Sequence, residues 1–187
     1  MSTLHSRAAH APAEPAQQDD VSVFAPDPGT GRQFRTALGR FATGVTVITT
    51  TGPDGPMGIT ANSFASLSLD PPLVLWSPAR ASRRFAAFTE CAHMAIHVLG
   101  SDQTALAEHF ARRAATAEIA GVEAGIGGMP LLPGVLTCLE CALHAVHPGG
   151  DHAIVVGRVL RVRTRPGAPL VFHEGGFQGL ADLPRAD

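Results

Sequence analysis

The chain has 187 residues, enough for one domain with a full core and too few for two comfortable ones. Apolar residues make up 45% of it, and the net charge of −2 gives no electrostatic case for nucleic acid or an anionic membrane surface. All 14 basic residues are Arg, so neither a Schiff-base lysine nor, with no Tyr present, a tyrosine general acid is available.

The first twenty residues, MSTLHSRAAHAPAEPAQQDD, lack an unbroken apolar core, and residues 1–29 read as a mobile tail rich in Ala, Pro, Gln and Asp. The domain is expected over 30–187. Thr30-x-x-Gln33 fits a capping box, and Phe34, Leu38 and Phe41 recur at helical spacing up to an expected stop near Gly44. VTVITTT (45–51) alternates as a strand, and Gly52 to Pro56 is a turn. Met57 to Leu69 is the expected return strand, and LVLWS (73–77) another. Ser82 caps a short helix carrying Phe85 and Phe88, and HMAIHVL (93–99) is a strand on which His93 and His97 share a half-buried face. Ser101 or Asp102 then caps a helix to about Arg113. Beyond a Gly-rich loop, 135–147 and 152–165 flank Pro148-Gly149-Gly150-Asp151 as a long hairpin, with a short strand near 170–173. Many hairpin-linked strands and three helices favour a mainly β, antiparallel barrel with flanking helices over a doubly wound sheet.

An odd count of three Cys does not read as a disulfide framework. No run reaches the ~18 apolar residues of a membrane span, so a soluble cytoplasmic protein is expected. Cys138, Cys141, His144 and His147 mimic a metal motif, but strand alternation sends them to opposite faces, and no metal site is expected. No Gly-x-Gly-x-x-Gly follows a strand, and no phosphate-binding P-loop occurs. Ser77 to Arg84 clusters three cations and two hydroxyls at a strand-to-helix junction, which reads equally as a solvated turn or a phosphate seat. The small side chains of Thr60, Ala61, Asn62, Ser63 and Ser66 are unusual for a strand and leave room for something other than protein. His152 follows the hairpin turn, where a side chain can overhang a cleft.

FATGVTVITT (41–50), ITANSFASLSLDPPLVL (59–75), EHFARR (108–113), GMPLLPG (128–134), LEC (139–141), GGDHAIVVGRV (149–159) and PLVF (169–172) occur in an order and spacing that resembles the short-chain flavin reductases. The resemblance runs from about Phe34 to Leu180. It implies a Greek-key FMN-binding split barrel that works as a homodimer and passes a hydride from NADH or NADPH to FMN or FAD. It also implies a partner monooxygenase that receives diffusible reduced flavin, with no nucleic acid or membrane partner. Transferred position by position, Thr60, Ala61, Asn62 and Ser63 would line the ring and ribityl chain, with Ser66 and Ser77 close by. Ser82 and Arg83 would hold the phosphate, His152 would sit over the nicotinamide side, Thr43 and Gly44 would border the cleft, and Phe177 would cover it. Two alternatives stay open on the same barrel: a flavin- or haem-binding protein without turnover, and an FMN-dependent oxidase.

Overall fold

The computed structural model describes residues 21–53 and 55–180. Of the expected tail, residues 1–20 lie outside the described residues, as do 181–187 of the expected domain and Asp54 in the first turn. Three helices, α1 (Gly31–Gly39), α2 (Phe85–Thr89) and α3 (Thr104–Arg112), interrupt twelve strands. These are β1 (Thr43–Gly44), β2 (Thr46–Gly52), β3 (Gly55–Ala61), β4 (Ala65–Leu69), β5 (Pro72–Trp76), β6 (His93–Val98), β7 (Glu123–Ala124), β8 (Pro130–Leu131), β9 (Thr137–Gly149), β10 (His152–Thr164), β11 (Leu170–His173) and β12 (Gly176–Gly179).

Seven strands form one antiparallel sheet in the order β3-β2-β6-β9-β10-β5-β4. Its two edge strands, β3 and β4, are separated in the chain by Asn62, Ser63 and Phe64 alone. A sheet whose outermost strands are tied by three residues must curl until its edges face each other. Those edges do not pair, so the barrel is split, which is the architecture the strand pattern and the resemblance imply.

Strand alternation sorts the core. One face of the sheet buries Ile48, Val74, Trp76, Met94, Ile96, Cys141 and Val155, with Phe88 of α2 inserted edge-on against Trp76 at 5.2 Å. The other face carries α3, whose Ala107 and Phe110 pack with Val45, Val47, Leu99 and Leu170. Phe110 lies so close to Gly58 that a Cβ there would come within 2.7 Å of its ring, which sets how tightly α3 seats on β3. The segment between β7 and β8 is latched by Glu140, a fully buried carboxylate that accepts from Ile126 N–H (2.9 Å) and Arg161 Nη2 (2.6 Å). The Arg161 hydrogen bond holds its pKa below the usual carboxylate value despite burial.

Several boundaries differ from the sequence expectation. The Thr30 hydroxyl accepts from Asp27 N–H (2.8 Å) and makes no cap bond, so the capping box is not formed. α1 ends at Gly39 and not near Gly44, because Thr43 and Gly44 pair with β11 and the Glu174 amide docks on the Gly39 carbonyl (3.0 Å). The single strand expected over 57–69 is two strands, broken where Ser63 Oγ accepts the Ser77 N–H (3.0 Å) and donates to the Ser77 carbonyl. Gln103, not Ser101 or Asp102, precedes α3, and its side-chain oxygen accepts from Gly100 N–H (3.0 Å). The three cysteines are free. Among the described residues no helix is long and apolar enough to cross a membrane.

His93 is half-buried as expected, whereas His97 is fully buried. Its Nδ1–H donates to the Val47 carbonyl (3.0 Å) and its Nε2 accepts from Leu132 N–H (3.1 Å), a pairing that only the neutral ring satisfies. Burial pushes its pKa down to about 4. The unfolded chain therefore binds the extra proton between about pH 6.5 and about pH 4, and stability falls as pH drops through that window, by up to roughly 3 kcal/mol. Urea titrations at pH 7 and pH 5 should show this loss in the native protein. His97→Leu should be less stable at pH 7 by about 2 kcal/mol, with two buried polar groups unpaired, and should lose most of the pH slope.

Candidate functional site

The site begins at the open edge of β3. Both backbone groups of Gly58 point away from β2: its amide donates to the Ala114 carbonyl (2.8 Å) and its carbonyl accepts from Arg84 Nη1 (2.8 Å). Backbone direction alternates along a strand, so the amide and carbonyl of Thr60 face the same way. No partner for them occurs among the described residues. Here the edge opens into a cleft of about 300 Å³ whose wall is Ile59, Thr60, Ala61 and Asn62. Phe172 of β11 and Phe177 of β12, strands of a separate three-stranded sheet β1-β11-β12, face it with their ring centres 5.5 Å apart, and Val45, Ala111 and Arg84 complete the lining.

The hydroxyls in this stretch are mostly engaged. Thr60 Oγ1 donates to the Ala107 carbonyl of α3 (2.6 Å), which leaves backbone rather than side chain to meet a ligand. Thr43 Oγ1, beside Phe172 in the register, is buried and finds no hydrogen-bond partner among the described residues.

A second cleft of about 460 Å³ is lined by Ser82, Arg83, Arg84 and Arg112, with Ala81 and Ala114. Arg84 lines both clefts. Its Nη1 also reaches the Phe110 (2.8 Å) and Arg113 (3.1 Å) carbonyls at the end of α3, where a cation is favoured. Burial lowers its pKa, yet a guanidinium stays charged. Among the described residues no carboxylate pairs with Arg83, Arg84 or Arg112, so the cleft has an uncompensated positive field.

Residues 38–181 match the family model of the flavin reductase like domain. The chain belongs to the flavin reductase like family. FMN reductase (NADH) SmoA of Agrobacterium fabrum is 50% identical over 164 residues, spanning 88% of this chain and 94% of that protein. The reductase subunit HsaB of a flavin-dependent monooxygenase from Rhodococcus jostii is 40% identical, over 86% and 82% of the two chains. Among solved structures, the NADH:FAD oxidoreductase SgcE6 of Streptomyces globisporus superposes with a TM-score of 0.77 at 37% identity, covering 88% of this chain and 100% of that one.

In this flavin reductase like chain the residues fit a flavin. The slot has small side chains on one wall and aromatic ones on the other, an unpaired strand edge, an orphaned Thr43 hydroxyl at its border, and a cationic cleft joined to it through Arg84. Of the residues singled out in the sequence, Thr60, Ala61, Asn62 and Phe177 line the slot, while Ser82 and Arg83 line the cationic cleft. Thr43 and Gly44 flank the slot through their pairing with Phe172 and Val171. Ser63 and Ser77 are bonded to each other at the corner. Ser66 lies exposed on β4 opposite Val74 and lines neither cleft. His152 also lines neither, but it bridges Ala79 of the segment that leads to Ser82. Its Nδ1 bonds Asp151 Oδ1 at 2.7 Å, which holds the Asp151 carboxyl below its ordinary pKa.

Phe172, Val45 and Arg112 escaped the sequence reading, and Arg84 entered it only as one cation of the 77–84 cluster. Arg84→Ala should unseat the end of α3 and cost about 1–3 kcal/mol, because three carbonyls lose a charged donor. Thermal unfolding, with hydrogen exchange at residues 110–115, measures it.

Proposed function

We propose that this chain is an NAD(P)H:flavin oxidoreductase that uses NADH or NADPH to reduce FMN or FAD and supplies the reduced flavin to a separate monooxygenase. The observation that carries this reading is the unpaired Thr60 edge of β3, opening on a small-walled slot that runs through Arg84 into a cleft of unpaired arginines. The name of the 50% identical relative, an FMN reductase (NADH), supports FMN and NADH as the pair, and the monooxygenase subunit among the relatives supports the partner. Neither the non-reductase binding protein nor the oxidase reading has comparable support.

When bound, the flavin supplies the redox chemistry by accepting a hydride from reduced nicotinamide. The chain's own work is placement. The backbone of Thr60, Ala61 and Asn62, which lines the slot, would meet the polar edge of the ring. Thr43 and Gly44 border the slot, and Phe177 closes it against water. Ser63 and Ser77 fix the corner that sets the slot's rim, with Ser66 next along β4. Ser82 and Arg83, joined by Arg84, hold the phosphate. His152, whose Nδ1 bonds Asp151 Oδ1 at 2.7 Å, would serve the nicotinamide side.

We infer a homodimer and a domain spanning 30–187, with 1–29 as a tail. The exposed Phe34, Leu38 and Phe41 of the α1 region and Leu67 and Leu69 of β4 support the dimer, since α1 buries no residue within its own chain. A cytoplasmic setting suits three free thiols.

Anaerobic mixing of the protein with NADH and FMN should bleach the oxidised-flavin absorption band, and steady NADH oxidation in air should require added flavin. Turnover that ignores added flavin would sink the diffusible-product reading. Ala61→Phe should crowd the slot wall and weaken FMN binding, read by fluorescence quenching, by about tenfold or more, with a fall in Tm as well because Ala61 also packs against the core.

A further inference from the structure

The turn that carries His152 stands at the far end of the long β9–β10 hairpin. Gly149 pairs with His152, so the loop is Gly150 and Asp151 alone, and residues 149–151 are exposed. Beyond this strand pairing, the exposed tip is braced from outside the hairpin. Its restraint comes from the segment between β5 and α2. Ala79 bridges His152, and Ala153 N–H donates to the Pro78 carbonyl (3.1 Å). Arg80 adds two bonds from a single residue, its amide to the Asp151 carbonyl (2.8 Å) and its Nε–H to the Gly150 carbonyl (3.1 Å). The guanidinium also lies 5.5 Å from the centre of the Phe85 ring, and Phe85 opens α2. The same segment continues as one wound piece, with Ser82 N–H on the Ala79 carbonyl and Phe85 N–H on the Ser82 carbonyl, both at 3.0 Å. Arg80 lines neither cleft.

We propose that Arg80 is a positioning residue that couples occupancy of the Ser82–Arg83 cleft to the pose of His152. This rests on the reading that the flavin phosphate takes that cleft and that His152 faces the nicotinamide. A phosphate on Ser82 and Arg83 stiffens the 79–85 segment, and Arg80 passes that stiffness to the Gly150–Asp151 tip. Nicotinamide then meets a histidine already in place. Linkage makes the effect reciprocal: bound nicotinamide tightens the phosphate. A lysine at this position keeps the charge but lacks the planar Nε–H that reaches Gly150 while stacked on Phe85.

The test compares FMN with riboflavin, which lacks the phosphate, in the native protein, Arg80→Met and Arg80→Lys. NAD⁺ affinity is measured by calorimetry on each flavin-loaded protein, and hydrogen exchange is followed at residues 150–153. The native protein should bind NAD⁺ about fivefold or more tightly with FMN than with riboflavin. In both variants that ratio should fall to near one and exchange at the tip should rise, with FMN affinity within about twofold of native. A native ratio of one, or a ratio unchanged in Arg80→Met, overturns the coupling. A ratio kept by Arg80→Lys and lost in Arg80→Met shows that charge, not the Nε–H strut, is responsible, and also overturns it. FMN affinity that collapses in the variants makes Arg80 a phosphate ligand instead. Failure of the native protein to bind or reduce any flavin removes the site reading itself, an outcome separate from the others.

Discussion

One unpaired stretch of backbone organises this molecule. An edge strand must satisfy its outward amides and carbonyls or leave them to water or a ligand. Along β3 the first half is sealed by Ala114 and Arg84, and the second half, at Thr60, is left open. The seal and the opening depend on each other. Arg84 closes the Gly58 carbonyl, caps the end of α3, and stands at the junction of the two clefts. The hydroxyl of Thr60 is spent on α3, which holds the helix against the strand while its backbone stays available.

The rest of the fold presents that edge. Because β3 and β4 are both sheet edges and consecutive in the chain, curling of the sheet brings the open edge to the mouth of the split. The small sheet of β1, β11 and β12 then supplies the aromatic wall, and the β5–α2 segment with the end of α3 supplies the cations. Polar struts keep the outer layer in place. His97 ties β6 to β2 and to the segment after β8, and Glu140 latches the excursion between β7 and β8 onto β9 and β10.

Much of this was legible in the residues, because it is written in local chemistry. Alternation in VTVITTT marks β2, and Pro148-Gly149-Gly150-Asp151 marks the turn between β9 and β10. The small residues 60–62 mark the slot wall, and Ser82 with Arg83 marks the cationic cleft. What escaped depends on partners far along the chain. The break in the strand after Ala61 follows from Ser63 meeting Ser77. The early end of α1 follows from Glu174 docking on Gly39. Arg84 looked like one more cation in a turn, since nothing local reveals that Gly58, Phe110 and Arg113 converge on it. Thr30 had the right spacing for a cap, but Asp27 had already closed the turn before it.

The corner formed by Asn62, Ser63 and Phe64 has a consequence for how such barrels diversify. It alone spans the seam between the two free edges, and no sheet register passes through it. Insertions or deletions at Asn62 or Ser63 would widen or narrow the mouth, while Phe64, packed against the core, anchors the far end of the corner. A change of length at that corner therefore resizes the mouth of the slot from its rim, beside the Ala61 and Asn62 wall, and leaves the strand registers on either side intact.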